Sequence, residues 1–265
     1  MIKVKKLSAG YGSKTILSEV DISINKGSFT AIIGRNGAGK STFLKVLCGL
    51  IKQFKGAIFI NGKDKSEISK NDFAKILAFM PQTVDMSFPF TVKEFLIFGR
   101  YPYMNVFKIA SQKDYAVVEN VLDFMDLQSF SSKRIDELSG GEKQKVLIAQ
   151  TIVQETDILV FDEPTAHLDI GNQYSILEIL KNINEKLSKT IIVTLHDLNA
   201  AGEFCQDIVL LDCGRVKNFG TAQDVLNYKD IESTYKTTVV VKTNPISGKP
   251  YIIPVRAKNC LGEQT

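Results

Sequence analysis

Apolar positions along the chain follow two periods. Over residues 2–33 they alternate or run on, which predicts strands at 2–8, 16–24 and 28–33. The third, Ser28-Phe29-Thr30-Ala31-Ile32-Ile33, is an uninterrupted β-branched run, as in a buried strand. Residues 42–47 continue as a helix that stops at Gly49. Residues 56–62 read as a strand closed by an Asn-Gly turn, and 77–80 as a short strand ending at Pro81-Gln82. From residue 91 to about 137 the period changes. Tyr115, Val118, Leu122 and Met125 recur at helical spacing, and Thr91 with Glu94 forms a capping pair for a helix over 91–99. A helix over 143–154, a strand at 158–161 and a helix from Ile170 follow, the last burying Ile176, Leu180, Ile183 and Leu187. Strands at 190–195, 208–212 and 215–219 complete a sheet, and Gly220-Thr221 opens a short helix. Residues 239–242 and 251–254 flank a Pro/Gly turn and read as a hairpin appended to the main domain. The expected division is a main domain over 1–236, with a helical subdomain inserted at about 91–137, and a hairpin tail over 237–265.

Candidate chemistry gathers at the junctions of these elements. Gly34-Arg35-Asn36-Gly37-Ala38-Gly39-Lys40-Ser41-Thr42 lies between a buried strand and a helix and matches the G-x-x-x-x-G-K-[ST] phosphate-loop pattern. Gly37 and Gly39 let the loop curl and turn its N–H groups inward, and the helix N-terminus adds about half a positive charge. Lys40 would reach the β- and γ-phosphates, and Ser41 would place its hydroxyl on Mg²⁺. Asp162 and Glu163 end an apolar strand, which in a parallel sheet puts both carboxylates beside the phosphate loop. Asp162 would hold Mg²⁺ and Glu163 would polarise the attacking water. His196, at the end of the next strand, points at the same crevice. Gln82 could ligate Mg²⁺ or position water, and Tyr11, read as a loop residue after the first strand, could stack on adenine. His167 reads as a loop-shaping residue.

Leu138-Ser139-Gly140-Gly141-Glu142 makes a second anion site at a helix start. One nucleotide has no use for two cradles in one chain, so this second turn needs a separate explanation. The stretch Phe95-Leu96-Ile97-Phe98-Gly99-Arg100-Tyr101-Pro102-Tyr103-Met104 is rich in apolar and aromatic residues, as subdomain core or as a groove for a partner's helix.

Bulk properties narrow the class. At 265 residues, 44% hydrophobic and 23% charged, the chain is an ordinary globular protein able to bury a large core. A net charge of +4 suits an anionic ligand or a lipid headgroup surface and is too weak to argue for nucleic acid. No apolar run reaches the ~18 residues that span a bilayer. The start moves straight into strand-like alternation, not a signal peptide. Cys48, Cys205, Cys213 and Cys260 show no C-x-x-C pair and no zinc spacing, as in reduced cytosolic thiols.

Tyr11, the loop at Gly34, Gln82, residues 138–142, the Asp162-Glu163 pair and His196 stand in one order. Together they resemble the ATP-binding subunit of ABC transporters over nearly the whole chain. The fold this implies is α/β: a P-loop NTPase sheet core, an N-terminal antiparallel β subdomain and an inserted α-helical subdomain. The resemblance assigns nucleotide contacts to Tyr11, Gly34, Asn36, Gly37, Gly39, Lys40, Ser41 and Thr42, and to Ser139, Gly140, Gly141, Glu142 and Asp169. It assigns catalysis to Glu163, His196, Gln82 and Lys40, and Mg²⁺ to Ser41, Gln82 and Asp162. Two copies would pack head to tail, each ATP lying between the phosphate loop of one and the signature of the other, with Asp169 on the seam. That answers the puzzle of two cradles. Finer likeness, in Thr91-Val92-Lys93-Glu94, in Gly99-Arg100-Tyr101-Pro102, in His196-Asp197-Leu198-Asn199 and in the tail from Asn244 to Pro250, points to importers of iron–siderophore complexes, haem and vitamin B12. Tyr103 stands where that group often has His. The implied partners are a polytopic permease at the cytoplasmic face of the membrane and, indirectly, a substrate-binding protein. Rival readings are a soluble ABC ATPase in iron–sulfur assembly and a monomeric P-loop kinase or GTPase, which would leave residues 138–142 without a purpose.

Overall fold

The computed structural model describes residues 1–84, 89–104, 107 and 109–256. Strands β1 (Ile2–Tyr11), β2 (Lys14–Ile24) and β3 (Phe29–Ile33) come first, followed by helix α1 (Lys40–Leu47). Next come β4 (Gln53–Ile60), β5 (Lys63–Asp64), the short α2 (Lys70–Phe73) and β6 (Leu77–Met80). Three helices follow, α3 (Val92–Ile97), α4 (Gln112–Phe124) and α5 (Gly140–Ile152). The chain then runs β7 (Ile158–Phe161), α6 (Ile170–Leu187), β8 (Thr190–Thr194), α7 (Leu198–Phe204), β9 (Asp207–Asp212) and β10 (Arg215–Gly220). It ends in α8 (Ala222–Val225), α9 (Tyr228–Tyr235) and a hairpin of β11 (Val239–Thr243) and β12 (Pro250–Pro254).

The central sheet has the order β10-β9-β3-β8-β7-β6. Its strands pair in parallel except β10, which runs antiparallel to β9. A second sheet, β2-β1-β4-β5, is antiparallel throughout. The central strands are buried on both faces, and their side chains alternate between two cores. Phe29, Ala31, Ile33, Leu159, Phe161, Ile191 and Val193 face the core shared with α4, α5 and α6. Ile32, Val160, Ile192 and Val209 face the antiparallel sheet and Phe43 and Leu44 of α1. This layering brings the carboxyl ends of β3, β7 and β8 to one edge, where Gly34, Asp162 and Leu195-His196 follow.

Several boundaries differ from the sequence expectation. The first strand runs on to Tyr11, which pairs with Lys14, so Tyr11 is a strand residue and not a loop residue. Tyr115 is 45% exposed, with Lys93 near its ring, and does not share the buried face of Val118, Leu122 and Met125. Val121 takes its place in that core. Leu187, in the last position of α6, is exposed, while Leu177 joins the buried face. Helix α5 starts at Gly140, three residues before the expected Lys143, because Ser139 supplies the cap. The Thr91–Glu94 capping box is present, and the chain after Ile97 tightens to a 3₁₀ turn (Phe98–Tyr103) containing Pro102. Cys48 and Cys205 are free thiols whose burial pushes their pKa up, and Cys260 lies outside the described residues.

Candidate functional site

The loop after β3 folds as its glycines demand. Gly34 has φ 149, and a Cβ there would meet the Leu211 carbonyl at 2.3 Å. Gly39, the residue before α1, has φ 103. A Cβ on Gly37 would meet nothing within 4 Å, so that turn faces open space. Lys40 is 5% exposed and donates from Nζ to the carbonyls of Gly34 (2.9 Å) and Arg35 (3.3 Å). Burial pulls its pKa below the ordinary lysine value, opposed by the nearby carboxylates of Glu163 and Asp162. Its ammonium thus occupies the concave side of the loop and satisfies two backbone carbonyls there.

The carboxyl ends of β7 and β8 complete the wall. Asp162 is 2% exposed, and its Oδ1 accepts from Thr194 Oγ1 (2.7 Å) and Ser41 Oγ (3.1 Å). Thr194 Oγ1 in turn accepts from the Glu163 N–H (2.7 Å), which holds Glu163 at φ 51. Such a conformation costs roughly 1–3 kcal/mol in a residue with a side chain, and its surroundings must hold it there. The Glu163 carboxylate is gripped on both oxygens. His196 Nε2 lies 2.6 Å from Oε1, and Gln82 Nε2 donates to Oε2 at 2.6 Å.

These groups enclose a cavity of about 430 Å³, lined on the loop side by Asn36, Gly37, Gly39, Lys40, Ser41 and Thr42, and opposite by Gln82, Glu163 and His196. Ile16 of β2 forms part of the lining, and Tyr11, 51% exposed, does not. An adjoining cavity is bordered by Thr165, His167 and Asp197. His167 has φ 62, which fits its reading as a loop-shaping residue. Thr194 had no motif to mark it; it ends β8, two residues before His196, and bonds to Asp162 and to the Glu163 amide.

Asp162, Ser41 and Gln82 offer only oxygen ligands beside a basic, phosphate-sized loop. Mg²⁺ takes one or two protein oxygens and otherwise water and phosphate oxygens, so the donor set fits it. Among the described residues no cluster of three or more His, Cys, Asp or Glu is placed to hold a metal ion by itself.

The second turn stands apart. Ser139 is the N-cap of α5; its Oγ accepts from the Glu142 N–H at 3.4 Å, and Glu142 Oε2 accepts from the Ser139 N–H at 2.7 Å. These bonds from Ser139 hold the Glu142 carboxyl below the usual glutamate range. Glu142 is therefore committed to its own cap. Asp169 caps α6, accepting from the backbone N–H (2.9 Å) and side-chain amide (2.6 Å) of Asn172. Those bonds lower its pKa as well. Ser139, Gly140 and Asp169 are exposed, and none of residues 139–142 lines the cavity at Lys40.

The stretch over 95–104 resolves as core on one side. Arg100 is 1% exposed, bonded to Asp114 Oδ1 (3.0 Å), the Val153 carbonyl (2.6 Å) and Glu155 Oε2 (2.8 Å). Phe98 and Tyr101 remain exposed.

The ABC transporter family model matches residues 17–166. The iron(3+)-hydroxamate import ATP-binding protein FhuC of Bacillus subtilis is 34% identical over 249 residues, 94% of this chain and 93% of that protein. A chain of an ABC transporter in an inward-facing conformation aligns with TM-score 0.85 at 25% identity, covering 96% of this chain and 97% of that one. The dimeric bacterial cassette MJ0796 aligns with TM-score 0.72 at 28% identity, covering 83% of this chain and 98% of that one.

Proposed function

The chain belongs to the ABC transporter family, and from that premise we propose that it is the ATP-hydrolysing subunit of an importer for iron–siderophore, haem or cobalamin-type cargo. It works as a head-to-tail pair that closes on ATP. The observation that carries this reading is the split geometry: Lys40, Ser41, Glu163 and His196 line one cavity, with the buried Asp162 bonded to Ser41 behind it, while Ser139 and Gly141 sit at a helix start outside it. The likeness to FhuC, an iron(3+)-hydroxamate import ATP-binding protein, supports the cargo class.

The loop N–H groups and the α1 N-terminus bind the phosphates. Lys40 exchanges the Gly34 and Arg35 carbonyls for β- and γ-phosphate oxygens. Ser41 and Asp162 would hold Mg²⁺, which would supply positive charge to neutralise the phosphates. Glu163 takes the proton of the water that attacks the γ-phosphorus. Gln82 and His196 orient its carboxylate, and His196 then passes to the γ-phosphate. Ser139 and Gly141 of the second copy complete the γ-phosphate shell in trans, with Asp169 at the seam. Hydrolysis removes the bridge and the halves part.

Among the described residues no helix is long and apolar enough to cross a membrane. The subunit binds a polytopic permease peripherally, at the cytoplasmic face, through the exposed surface near Gln82 and residues 91–104. A substrate-binding protein delivers cargo on the far side. The test is affinity purification of the full chain from a detergent extract of its native cell. A co-purifying polytopic membrane protein is expected, and recovery of soluble partners alone would favour a role in cofactor assembly.

A further inference from the structure

Strand β8 ends in Thr194, which is fully buried. Alternation along the strand puts Thr194 on the face of Ile192, and Asp162 follows Val160 of β7 in the same way. Ile192 and Val160 pack in the core that includes Phe43 and Leu44 of α1. Each strand thus exchanges an apolar for a polar residue at its carboxyl end, on the face where α1 begins with Lys40 and Ser41.

A hydroxyl carries one proton, and a backbone amide only donates. Thr194 Oγ1 accepts from the Glu163 N–H at 2.7 Å, and its own proton goes to Asp162 Oδ1 at 2.7 Å. The hydroxyl is used in both directions, and it ties the backbone of Glu163 to the carboxylate of Asp162. Glu163 sits at φ 51, a conformation that only its surroundings can hold. Its other side-chain partners, Gln82 and His196, grip the carboxylate and leave the backbone alone. Ser41 Oγ is the second donor to Asp162 Oδ1, at a longer 3.1 Å.

We propose that Thr194 is a positioning residue for the two carboxylates, its hydroxyl fixing the Glu163 backbone from which the side chain reaches a water and orienting Asp162 beside it. Gln82, His196 and Ser41 are the contacts that change in the proposed reaction. Thr194 has no contact to give up, so it holds the pair in register while the others exchange partners.

That role rests on the reading of the cavity as a site of ATP hydrolysis, and one experiment separates the two. Full-length wild-type chain, Thr194→Val and Thr194→Ser are compared in ATPase kinetics, in ADP affinity with Mg²⁺ chelated, and in Tm. The first variant keeps the β-branched shape without the hydroxyl, and the second keeps the hydroxyl. Expected for Thr194→Val is a kcat roughly five- to fiftyfold lower, with KM within about threefold and metal-free ADP affinity within about twofold of wild type. Thr194→Ser should bring kcat back to within about threefold of wild type. Should Thr194→Val not fold, Thr194→Cys, which has only a weak donor in place of the hydroxyl, is read in its stead. If wild type hydrolyses no ATP, the catalytic reading falls and this proposal with it. If wild type hydrolyses ATP and Thr194→Val matches its kcat, the role of Thr194 alone is overturned, and a lower Tm then marks a hydroxyl serving only the fold. The role is overturned too if Thr194→Ser is as slow as Thr194→Val, or if ADP affinity falls in step with kcat.

Discussion

The chain carries two glycine-rich turns, each at a well-formed helix N-terminus, and they differ in what surrounds them. The turn before α1 is enclosed. Its lysine is 5% exposed, its neighbouring Asp162 2%, and a glutamate held by Gln82 and His196 closes the far wall. The turn before α5 is open. Ser139 and Gly140 are exposed, Asn172 lies beside Gly141, and Glu142 is folded back onto its own cap. Both turns present backbone N–H groups to an anion. Under the proposed function only the first would supply, from the same chain, the cation, the metal ligands and the base that phosphoryl transfer needs. The second is a set of donors without a reaction. In the proposed head-to-tail pair a two-fold axis would join each enclosed turn to an open one, so that the unequal halves within a chain would become two equivalent whole sites.

The largest expected effect falls on the enclosed half. Glu163→Gln keeps the shape and the Gln82 contact but loses the proton acceptor. ATPase turnover should fall at least ~10²-fold, while MgATP still binds and a nucleotide-held dimer accumulates in size-exclusion chromatography. Near-normal turnover would remove Glu163 from its role. Next in size is a change in the open half. Gly141→Asp places a carboxylate where the γ-phosphate of the partner's nucleotide would lie. The new Cβ would stand 3.1 Å from Asn172 Oδ1, the far end of a side chain that can shift. MgADP affinity of the single chain should therefore hold within about twofold, while ATP-driven dimerisation and turnover drop roughly tenfold or more through like-charge repulsion. Loss of MgADP affinity in step with turnover would make the two turns parts of one site and dissolve the contrast.

The two halves were also unequally legible in the sequence. The enclosed half is written in local signals: a buried strand, a glycine loop, a helix, then carboxylates at a strand end. Its parallel sheet converts strand ends into neighbours, so Asp162, Glu163 and His196 could be placed from pattern alone. What stayed hidden there depends on register across the sheet. Thr194 bridges Asp162 and the Glu163 amide, but nothing in its spacing distinguishes it from any strand threonine. Ile16 enters the lining, and Tyr11 leaves it, because β1 runs to Tyr11 in its pairing with β2. The open half was legible only as a cap followed by glycines. Its use needed a second chain, which no single-chain periodicity encodes. Arg100 was read as part of an apolar stretch; its burial is set by Asp114 and the end of α5, partners 14 and 53 residues away.

That arginine offers the smallest test and the one most selective for the open half. Helix α5 begins at the open turn and is capped at its far end by Val153, whose carbonyl accepts from Arg100 Nη1 at 2.6 Å. A cation at a helix C-terminus complements its dipole, so Arg100 and its partner Asp114 anchor the far end of the helix that carries the open turn. Burial alone would raise the Asp114 pKa. Hydrogen bonds from the Ser111 hydroxyl and N–H, then the Arg100 guanidinium, outweigh it and hold the carboxyl below the usual aspartate range. A folded-state pKa below the unfolded one means a contribution that is complete above about pH 4, the ordinary aspartate value, and lost as pH falls through the folded value. Unfolding of the wild-type chain followed from pH 7 downward should therefore steepen on the acid side. Asp114→Asn, which cannot ionise, should be less stable at pH 7, and its curve should approach the wild-type one as acid protonates Asp114. Its MgADP affinity at pH 7 should match wild type, since the enclosed half takes no support from this pair. Parallel curves across the acid range would show that Asp114 gives α5 no charge-dependent anchor, and a matching loss of MgADP affinity would show that the two halves are not separately held.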